Sequence, residues 1–213
     1  MDAVARLRIE IVTDLVCPWC WLGKRRLELA LERRPDLEVE VAWLPHELNP
    51  DMPEGGMPRE AYLAARFRDP AQVVLRQREI TRLGAEIGVD FNFERITRMP
   101  NTRAAHALLQ QARGHGCADE LVETLFRSYF TLGRDIGDPV VLAEDAAACG
   151  LEPAAVSARL SARSDYDRVV ALERMIGSAG IDAVPHYVFD GRYSCSGAQD
   201  VETFCRALDR AAA

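Results

Sequence analysis

Apolar positions follow two rhythms along this chain. Leu7 to Thr13, "LRIEIVT", alternates and is rich in β-branched residues, which predicts a strand. The next segment, "WLGKRRLELALERR", repeats Leu22, Leu27, Ala30 and Leu31 at helical spacing, and Pro35 closes it. "LEVEVAWL", Leu37 to Leu44, alternates again as a second strand, so the chain opens with a β-α-β unit. At the far end, "DYDRVVALERMIGSAGI" predicts a helix closed near Gly180. "HYVFDG" and "RYSCSG" predict two short strands around an Asp190-Gly191 turn. "DVETFCRALDRAA" predicts a closing helix capped by Asp200, with Val201, Phe204 and Leu208 on one face.

The middle has the helical rhythm almost throughout. Asp69-Pro70, Asp138-Pro139 and Glu152-Pro153 each pair a capping residue with a proline at a helix start. Asn101-Thr102 opens "RAAHALLQQARGHG", which stops at Gly114. "ELVETLFRSYFTLG" stops at Gly133. "NPDMPEGGMP", Asn49 to Pro58, reads as the junction into this region. The expected organisation is α/β: a β-α-β … α-β-β-α unit made of residues 1–57 and 164–213, with an all-helical insertion over 58–163.

With 213 residues the chain is long enough for a full core. Its net charge of −7 argues against nucleic acid and anionic lipid as partners. No apolar run approaches the ~20 residues of a membrane span. Asp2, Arg6, Arg8 and Glu10 interrupt any secretory-type stretch, so a cytoplasmic location is expected.

Chemistry concentrates in "DLVCPWCWLGKRR", where Cys17 and Cys20 lie two residues apart across Pro18 and Trp19. A structural zinc site needs four ligands, and Cys117, Cys149, Cys195 and Cys205 are scattered with no second Cys-x-x-Cys, so no metal is expected. A static disulfide fits a reducing cytosol poorly. A thiol catalyst has a mechanism. Cys17 stands where the strand feeds the helix, facing unpaired N–H groups and the positive end of the dipole, both of which favour a thiolate. Cys20 lies one turn further, placed to resolve a mixed disulfide. In "AVPHYVF", a cis bond before Pro185 would turn the Val184 backbone toward the thiols, where an extended substrate pairs strand to strand.

The stretches "LVCPWCWLGKRRLE", "LPHELNPDMPEGG", "MPNTRAAHALL", "YFTLGRDIGDPVVLAEDAAACGL" and "AVPHYVFDGRYSCSGAQ" together resemble the FrnE-like branch of the DsbA family. The likeness runs over essentially the whole chain. It implies a thioredoxin fold with a helical insertion and thiol–disulfide oxidoreductase activity. Cys17 and Cys20 would be the redox pair, and Pro185 the cis-proline. Periplasmic DsbA has histidine where Trp19 stands. The expected couple is therefore less oxidising than DsbA, about −120 mV, and above thioredoxin, about −270 mV.

A sister branch, the 2-hydroxychromene-2-carboxylate isomerases with the kappa-class glutathione transferases, is similar in its "NT", "VP" and "SGA" stretches. It uses glutathione and has serine at the position of Cys17. Two cysteines favour redox chemistry. The alternative is a glutathione-dependent isomerase or transferase, with glutathione as co-substrate. A third class is a binding protein that uses the thiols only as a sensor. A thiol- or disulfide-bearing protein or small molecule is the expected partner of the first.

Other residues read two ways. Trp19 and Trp21 form a substrate platform, or one packs in the core. His186 tunes Cys17, or strand alternation turns it away. Asn101 and Thr102 cap a helix, or touch a polar ligand. Lys24 and Arg25 add positive potential, or are simply the wet face of a helix. His46, His106 and His115 read as structural. Cys195 and Cys205 form a second pair or none, and Cys117 and Cys149 read as packing thiols.

Overall fold

The computed structural model describes residues 6–213. The portion of the predicted first unit before Arg6 lies outside them. A four-stranded sheet is built from both ends of the chain. It contains β1 (Leu7–Thr13), β2 (Val39–Pro45), β5 (His186–Phe189) and β6 (Tyr193–Ser196), in the order β2-β1-β5-β6. β1 runs parallel to β2 with Ile11 opposite Trp43, and antiparallel to β5 with Ile11 opposite Tyr187. The β1–β2 crossover is α1 (Pro18–Glu32), as a parallel pair requires.

Period-two alternation sorts β1 between two layers. Ile9 and Ile11 join the main core, where α1 packs against α9 (Val201–Ala212) and Tyr187 meets Phe204 edge-on at 4.8 Å. Val12 faces the other way, into a smaller cluster with Leu44 and Ile176 of α8 (Tyr166–Ser178). The β5–β6 turn carries Asp190 and Gly191 at φ of 54° and 66°, the left-handed pair that matches hairpin twist.

Between β2 and α8 lie α2 (Arg59–Arg66), α3 (Pro70–Ala85), α4 (Arg103–Arg113), α5 (Ala118–Phe130), α6 (Pro139–Ala148) and α7 (Pro153–Ser161). The region is not purely helical. Two-residue strands β3 (Met57–Pro58) and β4 (Arg98–Met99) pair across it, because extended residues beside Pro58 and Pro100 cannot continue a helix. Asp69, Asp138 and Glu152 accept from backbone N–H groups at the starts of α3, α6 and α7, as their Pro-flanked positions predict. At α4 it is Asn101, one residue ahead of the boundary position Thr102, that accepts from Arg103 N–H at 3.0 Å. Its amide group donates to Met52 O, tying the junction loop down.

The insertion is fastened to α1. Trp21 stacks on Phe126 and Phe130, meets Phe91 edge-on and donates to the Glu123 carboxylate at 3.1 Å. Lys24, expected on a wet face, is instead buried. It pairs with Glu28 of its own helix and with Glu123 and Asp119 of α5. Burial alone would lower the Lys24 ammonium. Asp119, Glu28 and Glu123 outweigh that and hold it above its ordinary value.

Candidate functional site

α1 begins abruptly, and that abruptness sets the site. Leu15 and Val16 turn the chain, Cys17 N–H closes the turn on Asp14 O at 3.1 Å, and Pro18 takes the first helical position, where no N–H is needed. Cys17 is therefore the capping residue, yet its side chain accepts no capping bond, and the first turn holds no acidic residue. Its Sγ lies 3.9 Å from the carbonyl oxygen of Val184. The Val184–Pro185 peptide is cis, as expected.

Cys20 lies one turn into α1 behind Cys17, fully enclosed, with its thiol beside that of Cys17. Burial first, and then the neighbouring Cys17, push the Cys20 thiol well above its ordinary range. The Thr13 hydroxyl and the Asp14 N–H pull the other way. That hydroxyl is buried and makes no hydrogen bond in the structure. Beneath the helix, Tyr187 brings an enclosed hydroxyl up against Gly23, where a Cβ would come within 2.1 Å of it. Burial, then Cys20, raises the Tyr187 phenol well above its usual value.

Cys17, Pro18, Trp19 and Val184 line one wall of a groove of about 450 Å³. The other wall comes from the insertion, with Tyr62, Leu63, Phe67, Ile80, Phe93 and Phe130 among its residues. Trp19 is 38% exposed at the groove, while Trp21 is core. His186 is placed elsewhere. Its Nδ1 lies 2.7 Å from Ser196 Oγ, it lines a separate cavity beside Ile181 and Val188, and burial lowers its imidazole.

Sequence reasoning missed the support beneath the thiols. Asp14 and His106 are both enclosed and meet across 3.4 Å, and Asp14 also accepts from Leu48 N–H at 2.8 Å. The acidic residue three places before Cys17 is the only sequence signal for it. The remaining cysteines are free thiols away from this groove, and burial pushes Cys195 up to about 11. Among the described residues no cluster of His, Cys, Asp or Glu is arranged to hold a metal, and no helix is long and apolar enough to cross a membrane.

Thiols at the start of α1, facing a cis-proline loop in a β2-β1-β5-β6 sheet, agree with a family match. The DSBA-like thioredoxin domain pattern covers residues 8–209. The chain belongs to this family. Among solved structures, a probable DsbA oxidoreductase from Streptomyces coelicolor is 32% identical, with a TM-score of 0.87 over 97% of this chain and 90% of that one. YwbO of Bacillus subtilis, an uncharacterized protein, is 28% identical over 95% of this chain and 96% of its own length. The cytosolic disulfide reductase DsbM of Pseudomonas aeruginosa, solved with glutathione, shares the fold. Its TM-score is 0.65 at 17% identity, over 95% and 98% of the two chains.

Proposed function

We propose that this DsbA-like protein is a dithiol–disulfide oxidoreductase with Cys17 as the attacking thiol and Cys20 as the resolving one. The observation that carries the reading is the pairing of an uncapped Cys17 Sγ, 3.9 Å from Val184 O, with the enclosed Cys20 thiol directly behind it.

Cys17, as thiolate, attacks one sulfur of a substrate disulfide. The substrate S–S bond breaks, a mixed disulfide forms, and one half leaves as a thiolate. Forming the mixed disulfide removes the negative charge that opposes Cys20 ionisation. Cys20 then gives its proton to the leaving thiolate or to solvent, with the Thr13 hydroxyl and Asp14 N–H receiving the negative sulfur. It attacks Cys17 Sγ and releases the second thiol. The substrate gains two electrons and the protein closes a Cys17–Cys20 disulfide. Run backwards, the same steps oxidise a substrate dithiol. Val184, Pro18 and Trp19 form the substrate-facing surface, and Pro185, buried behind them, sets the Val184 carbonyl through the cis bond.

Cys20 favours this chemistry over glutathione-dependent isomerisation, which needs no resolving thiol. DsbM, by its name a cytosolic disulfide reductase, supports a cytosolic setting, and its glutathione supports a thiol co-substrate for the same face.

The test is insulin disulfide reduction with dithiothreitol. Wild type should speed precipitation and Cys17→Ser should not. Cys20→Ser should accumulate a covalent protein–substrate adduct visible by mass spectrometry. Acceleration that survives Cys17→Ser would overturn the assignment.

A further inference from the structure

The groove beside Cys17 has a charge out of keeping with the chain. The protein carries a net charge of −7, yet no carboxylate lines the groove, while Arg59, Arg66 and Arg76 all do. Some arginines elsewhere are paired, as in Arg98–Asp135 and Arg103–Glu47, but what sets this groove apart is three arginines gathered on one wall with no carboxylate among the lining residues. Among the described residues, none of these three has an acidic partner. Two of them lean on groove aromatics instead. The Arg59 guanidinium carbon lies 5.9 Å from the Phe93 ring centre, and that of Arg76 lies 6.0 Å from Phe67. Arg59 is partly buried, and with no carboxylate to offset it, that burial lowers the guanidinium below its ordinary value. A desolvated, unpaired guanidinium is costly to keep unless something arrives to meet it.

The surrounding wall is apolar and aromatic, and about 450 Å³ is the size of a small-molecule site rather than a protein interface. We propose that this groove binds a low-molecular-mass disulfide or thiol with an apolar or aromatic body and a carboxylate, the carboxylate meeting Arg59 and Arg76 while the sulfur reaches Cys17. Arginine suits this role because its fork matches a carboxylate and its face stacks on rings.

The inference rests on Cys17 acting as the nucleophile, and the experiment separates the two. The reduced protein is reacted with 5,5′-dithiobis(2-nitrobenzoate), an aromatic disulfide with two carboxylates, and with neutral 4,4′-dithiodipyridine. Each reaction oxidises the Cys17–Cys20 dithiol and releases two aromatic thiols, followed by absorbance. The readout is the ratio of the two second-order rate constants, which cancels differences in thiol reactivity.

Arg59→Gln should lower that ratio about tenfold, the value of one charged hydrogen bond. Arg76→Gln should lower it too, and Arg59→Lys should restore most of it. A ratio unchanged in both glutamine variants would overturn the groove assignment alone. So would an equal loss toward insulin, which would make the groove a polypeptide site. If neither aromatic disulfide reacts with the wild type, the Cys17 reading falls and the groove assignment with it.

Discussion

His106 Nε2 lies 3.4 Å from Asp14 Oδ1, and both side chains are closed off from water. Asp14 begins the turn that presents Cys17, and His106 belongs to α4 of the insertion. The contact ties the loop that presents the thiols to the helical region. Its other oxygen holds Leu48 N–H, so a single carboxylate braces two loops.

Removing it should cost more than an ordinary surface charge. Asp14→Ala leaves the Leu48 N–H without its acceptor and a gap beside the buried His106 imidazole, and should destabilise the protein by about 2 kcal/mol. Asp14→Asn keeps an acceptor for Leu48 and should cost less. Urea unfolding of the three proteins gives the comparison. Equal stability of Asp14→Ala and wild type would show that the brace carries no weight.

Gly23 and Tyr187 form a second coupled pair. Any Cβ at Gly23 collides with the Tyr187 hydroxyl at 2.1 Å and crowds Pro185 Cγ at 3.3 Å. Gly23→Ala should cost about 2 kcal/mol through overpacking. Tyr187→Phe deletes the colliding oxygen, which has no hydrogen-bond partner. The double variant should therefore recover most of the loss, a coupling of about 1 kcal/mol or more. Additive losses in thermal melts would contradict the contact.

The pH dependence of stability should differ between the reduced and oxidised protein. Burial raises the folded Cys20 thiol well above its usual range. Once pH passes about 8.5, the unfolded thiol releases its proton while the folded one keeps it. The folded state then binds more protons, so stability falls as pH rises. Tyr187 adds the same sign above about 10. The oxidised protein has no Cys20 proton to lose. Urea midpoints at pH 7.5 and 9.5 should therefore drop more for reduced wild type than for the oxidised form or reduced Cys20→Ala. Parallel curves for all three would contradict the burial argument.

Features that depend on neighbouring residues were legible in the sequence. The Asp-Pro and Glu-Pro helix starts, the Asp190-Gly191 turn, the cysteine spacing and the strand beginning at Pro185 each leave a local trace. Features that depend on which surfaces meet were not. Lys24 looks like any lysine on a helix until α5 lays Asp119 and Glu123 over it. His106 looks like an ordinary helical residue until α4 sets it against Asp14, 92 positions earlier in the chain. The groove arginines drew no notice in the sequence, since nothing local shows that Arg59, Arg66 and Arg76 converge on one wall. His186 is the converse case. Alternation along β5 was visible, but the side it chose depended on Ser196 of β6.

The Cys17–Val184 contact spans 167 positions of chain. At ordinary ribosomal speeds, the cysteines leave the exit tunnel roughly 10–30 s before the loop that will face them. During that interval β1 has no β5 neighbour, and the sulfurs have no carbonyl wall to present a partner against. Interrupted synthesis anywhere in the helical region would therefore yield a product with both thiols and no working site. Competence of the site waits on the synthesis of Val184 and the strand behind it, however early the cysteines emerge.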